Sequence, residues 1–111
     1  MVDKRAEKRV QRTLCAEVVR EETFQCVSTE VVDVSRGGLR VRTSSPVLTG
    51  EDVLLTFTLG AKQVDAVGYV ARVIHGRRPS DDGMRYLGLK FTYVDAASAQ
   101  VLADWLHAQG S

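Results

Sequence analysis

The stretch TEVVDVSRGGLRVRT, residues 29–43, joins two runs of strand-like sequence across a glycine-rich corner. After the corner, apolar and charged residues alternate in LRVRT, which predicts a strand with Arg40 and Arg42 facing outward. The corner itself, DVSRGG at residues 33–38, is too rich in glycine for a helix, and its flanks are too apolar for a disordered linker. We therefore interpret it as a tight connection between two neighbouring β-strands.

Working outward from this corner, strand-like segments fill most of the chain. They are rich in β-branched and aromatic residues or alternate between apolar and polar residues. A short polar turn, REET, separates the first two and predicts an antiparallel hairpin, and Gly68 within the fifth indicates a bulge or a tight bend. Because no helix separates the strands, the pattern favours an all-β antiparallel barrel. The predicted strands cover residues 13–19, 24–34, 39–43, 52–59, 63–74 and 84–94.

The last segment, DAASAQVLADWLHAQG, has the spacing of a helix that covers one side of the sheet. Asp95 is suited to be its N-cap, and Gly110 lies just past its expected end. Its apolar stripe is formed by Val101, Leu102, Trp105 and Leu106. The chain of 111 residues is thus expected to be one domain. It divides into a flexible basic N-terminal arm at 1–12, a barrel at 13–94 and a C-terminal helix at 95–109.

Charge is distributed unevenly along the chain. The arm has five cationic and two acidic side chains, a net charge of +3, whereas the whole chain has a net charge of only +1. The rest of the chain therefore carries −2. Positive charge at one end favours an anionic partner for the arm rather than a generally basic protein.

Several classes of function are disfavoured by the residues present. Cys15 and Cys26 lie in strand-like runs without metal-ligand spacing, so we expect two buried, unpaired thiols and no metal site. His75 and His107 have no nearby pattern of nucleophile and acid, so we expect no enzyme. No apolar run suits a membrane span or a secretory leader, so we expect a cytoplasmic protein that does not contact the membrane.

Two motifs in order resemble those of the PilZ domain family over essentially the full length of the chain. RAEKR, residues 5–9, fits the family pattern R-x-x-x-R, and DVSRGG fits D/N-x-S-x-x-G at the expected spacing. GYVAR at 68–72 and YLGLKF at 86–91 resemble two later strands of the family. The resemblance implies a six-stranded antiparallel PilZ-type β-barrel with a C-terminal α-helix.

The resemblance also implies a function, that of a bacterial receptor for the second messenger cyclic di-GMP, without a further cofactor. Arg5 and Arg9 would wrap over the ligand, and Asp33, Ser35 and Gly38 would form the barrel side of the site. Ordering of the arm would then signal to an unidentified downstream protein, in a process such as motility or exopolysaccharide production. The ligand could be one molecule or a stacked pair, and the protein a monomer or a dimer.

Alternatives remain open at this point. Lys8 and Arg12 have the same spacing as Arg5 and Arg9 and could replace them as the arm motif. Further contacts could come from Arg36, Gly37 or Arg40. A PilZ-like adaptor that binds proteins but no nucleotide is the main alternative function. Binding of single-stranded nucleic acid is disfavoured, because aromatic residues make up only 6% of the chain.

Overall fold

The structure is a computed structural model, and it describes residues 10–75 and 83–110. Within these ranges, antiparallel strands form a closed barrel and a helix follows the last strand. The elements are β1 (Val10–Arg20), β2 (Cys26–Val34), β3 (Gly38–Thr43), β4 (Asp52–Leu59), β5 (Lys62–His75), β6 (Arg85–Val94) and α1 (Ala96–Gly110). The predicted six-stranded antiparallel barrel with a C-terminal helix is confirmed.

The strands follow the order β1-β2-β3-β6-β5-β4 around the barrel. Four of the neighbouring pairs are consecutive in the chain, and the predicted β1–β2 hairpin is among them. The other two pairs, β3–β6 and β1–β4, join strands that are distant in sequence. These two pairs close the sheet, so the barrel leaves few strand edges open to other chains.

The ends of the first two strands differ from the predicted ones. β1 begins at Val10, three residues earlier than expected, because Val10 and Gln11 pair with Val34 and Asp33 of β2. At the other end, β2 begins at Cys26 rather than at Phe24. Phe24 has a φ of 58° and donates its backbone N–H to the carbonyl of Arg20 at 2.8 Å, so it belongs to the turn.

The core consists of inward-facing residues from every strand. Every second side chain of β4 is buried. In β3, the partly exposed Arg40 lies between the buried Leu39 and Val41. The rings of Phe57 and Phe91 stack with their centroids 6.3 Å apart. The largest fully buried side chains are Phe57, Leu39, Leu55, Leu87, Val18, Val31, Val34, Val41, Val53, Val64 and Val70.

Helix α1 packs mainly against β5 and covers one side of the barrel. Leu102 and Leu106 are buried, while Val101 and Trp105 pack against the core from its edge. The predicted N-cap is confirmed, since the carboxylate of Asp95 accepts the backbone N–H of Ser98 at 2.8 Å. Gly110 is the last residue of the helix rather than the first residue past it.

The bulge expected at Gly68 is present. Between Val67 and Gly68 the pairing partner on β6 changes from Tyr93 to Phe91, which is a shift in register. A Cβ atom at Gly68 would lie 2.3 Å from the carbonyl oxygen of Lys90. The glycine therefore allows β5 and β6 to approach each other at the bend.

The prediction of two buried cysteines is wrong, because both Cys15 and Cys26 are exposed. Cys15 alternates with Leu14 and Ala16, which pack against the core, and so its own side chain faces outward. Cys26 is the first residue of β2, where the strand leaves the turn. Both thiols are free in the structure.

A polar cluster fastens the end of the barrel where β1 ends and β4 begins. The guanidinium of Arg20 donates to the Glu51 carboxylate and to the carbonyl of Pro46. Glu51 also accepts the backbone N–H of Leu48 at 2.6 Å. This backbone hydrogen bond, together with the nearby Arg20, holds the pKa of Glu51 below its ordinary value of 4.5.

The lowered pKa of Glu51 predicts a pH dependence of stability. A carboxyl group whose pKa is lower in the folded state stabilises the fold above its unfolded pKa, and this contribution is lost as the pH falls through the folded value. Below about pH 5, we expect the unfolding free energy of Glu51→Gln to fall less steeply with decreasing pH than that of the wild type. Urea denaturation at a series of pH values measures this, with the exposed Glu22→Gln as control. An unchanged pH slope in Glu51→Gln would contradict the assignment.

Candidate functional site

The turn between β2 and β3 is closed by its own hydrogen bonds. Ser35 donates its backbone N–H to the carbonyl of Gly38 at 2.9 Å, and its Oγ donates to the same oxygen at 3.3 Å. Ser35 is buried, whereas Arg36 at the tip is exposed. The hydroxyl that the sequence predicts to bind a ligand thus also shapes the turn.

The two glycines of the turn lie against β6. Gly37 accepts the backbone N–H of Phe91 at 2.8 Å, and Gly38 pairs with Lys90. A Cβ atom at Gly38 would lie 1.9 Å from the carbonyl oxygen of Leu89, closer than atoms can approach without rearrangement. The need for glycine at this motif position therefore comes from the contact between β3 and β6.

Asp33 is the first residue of the motif, and its carboxylate is buried although it lies on the outer face of the sheet. It pairs with Arg40 across β2 and β3, so the two side chains share the outer face of the sheet. The Nε atom of Arg40 lies 3.6 Å from Oδ2 of Asp33. The side chain of Asp33 is 5% exposed and that of Arg40 is 37% exposed, so Arg40 covers part of the acid.

The first strand enters the barrel beside this turn. Val10 lies opposite Val34, and Gln11 lies opposite Asp33. The start of β1 therefore lies next to the predicted barrel side of the site. Arg12 lies within β1, and the other predicted arm residues, Arg5, Lys8 and Arg9, lie outside the described residues.

The outer face next to Arg40 contains residues that the two sequence motifs do not assign to the site. Arg40 lies opposite Gly88 on β6, and Gly88 in turn lies opposite Arg72 on β5. Lys90, the partner of Gly38, is exposed on the same sheet. No sequence pattern could have joined these residues, because their proximity depends on the pairing of β3 with β6. The face combines cations with one buried carboxylate and can thus receive an anion that also carries hydrogen-bond donors.

No group of three or more histidine, cysteine, aspartate or glutamate side chains in residues 10–75 and 83–110 is arranged to hold a metal ion. His75 ends β5 and His107 lies in the last turn of α1. Over the same residues, no helix has the length and apolarity required to cross a membrane.

Comparison with known proteins identifies relatives of this barrel. The model of the PilZ domain family matches residues 3–108. The PilZ domain of YcgR from Escherichia coli, solved with cyclic di-GMP, superposes with a TM-score of 0.76 at 11% identity; the match covers 96% of this chain and 91% of that one. A search of curated proteins gives no match.

Two further solved structures have the same fold. The Bacillus subtilis inhibitor of motility, MotI/DgrA, matches with a TM-score of 0.75 at 19% identity over 97% of this chain, which spans about half of that structure, 52%. The PilZ domain of CeSA from a cellulose-synthesizing bacterium matches with a TM-score of 0.64 at 16% identity, over 94% of this chain and 99% of that one.

The contact at Gly38 predicts a large loss of stability on substitution. Gly38→Ala should lower the free energy of unfolding by about 1–3 kcal/mol or more, because β3 must move away from β6. Gly88→Ala is the matched control on the partner strand, since its Cβ would meet only the Cβ of Arg72 at 3.5 Å. We expect Gly88→Ala to change stability by less than about 0.5 kcal/mol. Equal losses in urea denaturation would contradict this explanation.

Proposed function

The chain belongs to the PilZ domain family, and we propose that it is a receptor for cyclic di-GMP that signals to a partner protein. The proposed site lies between the R-x-x-x-R arm and the D-x-S-x-x-G turn. Arg5 and Arg9 form its arm half, and Asp33, Ser35 and Gly38 form its barrel half.

The observation that carries this proposal is the register of β1 on β2. Because Val10 pairs with Val34 and Gln11 with Asp33, the sequence RAEKR ends directly before the strand that borders the turn. Val10, the residue that follows RAEKR in the sequence, thus lies opposite Val34 of the DVSRGG motif. This proximity is what a site built from both motifs requires.

The chemistry of the residues suits this ligand. Cyclic di-GMP has two phosphates and two guanine bases, so its receptor needs cations that bind phosphate or the guanine edge, and an acceptor for the guanine N–H groups. Arginine binds phosphate and guanine in bidentate geometry, and Asp33 is a carboxylate acceptor. The YcgR domain, which has the same fold, was solved with cyclic di-GMP.

The signal would come from ordering of the arm. In this mechanism the arm, predicted from sequence to be mobile, closes over the ligand and presents a changed surface to a partner protein. Ordering a segment of this kind costs about 2–5 kcal/mol, which the arginine contacts must offset. The partner would therefore distinguish the bound form from the free form.

An adaptor that binds no nucleotide is the second candidate. It is favoured by the internal hydrogen bonds of the turn, since Ser35 bonds to Gly38 and Asp33 is held by Arg40. These contacts leave a complete structure without ligand. The two candidates differ in one measurable property, the affinity for cyclic di-GMP.

Isothermal titration with cyclic di-GMP tests the proposed function. We expect saturable binding in the micromolar range or tighter, and no comparable binding of GMP or cyclic di-AMP. The molar ratio separates a single ligand from a stacked pair. Absence of heat from a protein shown to be folded would contradict the receptor function and leave the adaptor.

Substitutions in the arm test which residues hold the ligand. Arg5→Ala or Arg9→Ala should abolish micromolar binding, since each bidentate arginine contact contributes about 1–3 kcal/mol. The melting temperature should stay unchanged, because both residues precede β1. Lys8→Ala and Arg12→Ala are the matched pair, and a larger loss of affinity in that pair would assign the motif to Lys8 and Arg12 instead.

A further inference from the structure

The contact between Arg40 and Asp33 lies inside the proposed site. Arg40 Nε is 3.6 Å from Asp33 Oδ2, and the carboxylate beneath it is only 5% exposed. Arg40 itself is 37% exposed and can rotate toward solvent without disturbing the core. The Asp33 carboxylate is therefore held in place, whereas the Arg40 guanidinium that covers it can move.

A guanine base needs the same carboxylate that Arg40 contacts. Guanine offers two neighbouring N–H donors, and a carboxylate binds such a pair through both of its oxygens. To reach Asp33, the base must replace the guanidinium of Arg40. Separating a nearly buried carboxylate from its cation is costly unless both groups gain new partners.

The outer face provides a place for the displaced guanidinium. Gly88 lies opposite Arg40 on β6 and has no side chain, and Arg72 lies beyond it on β5. A guanidinium above Gly88 would stand beside a second cation, which is unfavourable without an anion between them. A phosphate at this position would compensate both arginines.

From this arrangement we infer that Arg40 determines ligand specificity by exchanging one partner, the Asp33 carboxylate, for another, a phosphate of the ligand. This inference rests on the proposed function. Arg40 contacts Asp33 in the free protein. A ligand binds only when its guanine edge replaces Arg40 as the partner of Asp33 and its phosphate replaces Asp33 as the partner of Arg40. Guanine without phosphate would leave Arg40 uncompensated. Phosphate without guanine would take Arg40 from Asp33 without supplying the positive edge that replaces it.

The neighbouring pair on the same strands is a matched control. Arg42 lies two residues along β3, is 36% exposed, and has its NH1 3.5 Å from Oε2 of Glu30. The two arginines thus share strand, exposure and type of partner. They differ in the acid, because Glu30 is 39% exposed and Asp33 is 5% exposed.

The test compares two ligands on Arg40→Met, which keeps an unbranched side chain and removes the charge. Guanosine, which has no phosphate, is titrated at millimolar concentration while the amide resonances of residues 33–38 are followed by NMR. We expect saturable shifts in Arg40→Met and none in the wild type or in Arg42→Met. Calorimetry should show that Arg40→Met binds cyclic di-GMP at least about tenfold more weakly than the wild type, because one contact between charged groups is lost.

The outcomes separate the inference from the function on which it rests. If the wild type binds cyclic di-GMP but Arg40→Met gains no response to guanosine, Arg40 does not compete for Asp33 and the inference is overturned. Equal weakening by Arg40→Met and Arg42→Met would overturn it as well, since that indicates a general effect of charge. If the folded wild type binds no cyclic di-GMP, the proposed function fails and the exchange fails with it.

Discussion

The close approach of β3 to β6 is the constraint on which the rest of the structure depends. These strands are distant in sequence, and at Gly38 the distance between them leaves no space for a side chain, since a Cβ atom would lie 1.9 Å from the Leu89 carbonyl oxygen. The same approach brings Phe91 within hydrogen-bonding distance of Gly37. The pairing of β3 with β6 is therefore one of the two pairings that close the barrel, and it holds the β2–β3 turn against β6.

This pairing also decides which side chains meet on the outer face. Asp33, Arg40, Gly88 and Arg72 follow one another across four neighbouring strands, β2, β3, β6 and β5. Each side chain alone is ordinary for an exposed strand. Together they place a buried carboxylate and two cations around a position without a side chain, and that combination favours a ligand with both negative charge and N–H donors.

Much of the fold could be predicted because its strands alternate regularly between core and solvent. The segment Val10–Arg12 lacks that pattern, and its place in β1 depends on backbone pairing with β2, which composition does not reveal. Phe24 has high strand propensity but lies in the turn, where hydrogen bonding to Arg20 decides its conformation. Cys15 is exposed although cysteine is usually buried, because its position between two inward-facing neighbours decides the direction of its side chain.

The candidate site could be predicted only in part, for a related physical reason. Sequence motifs identified Asp33, Ser35 and Gly38 by residue type and spacing, but not the contacts that those residues already make within the barrel. Contacts with Gly88 and Arg72 require the register of three strands and have no local signature. A site whose polar groups are already engaged binds by replacing partners rather than by adding them, because each buried group that loses a hydrogen bond must regain one. Selectivity in such a site depends on how completely a ligand supplies those replacements.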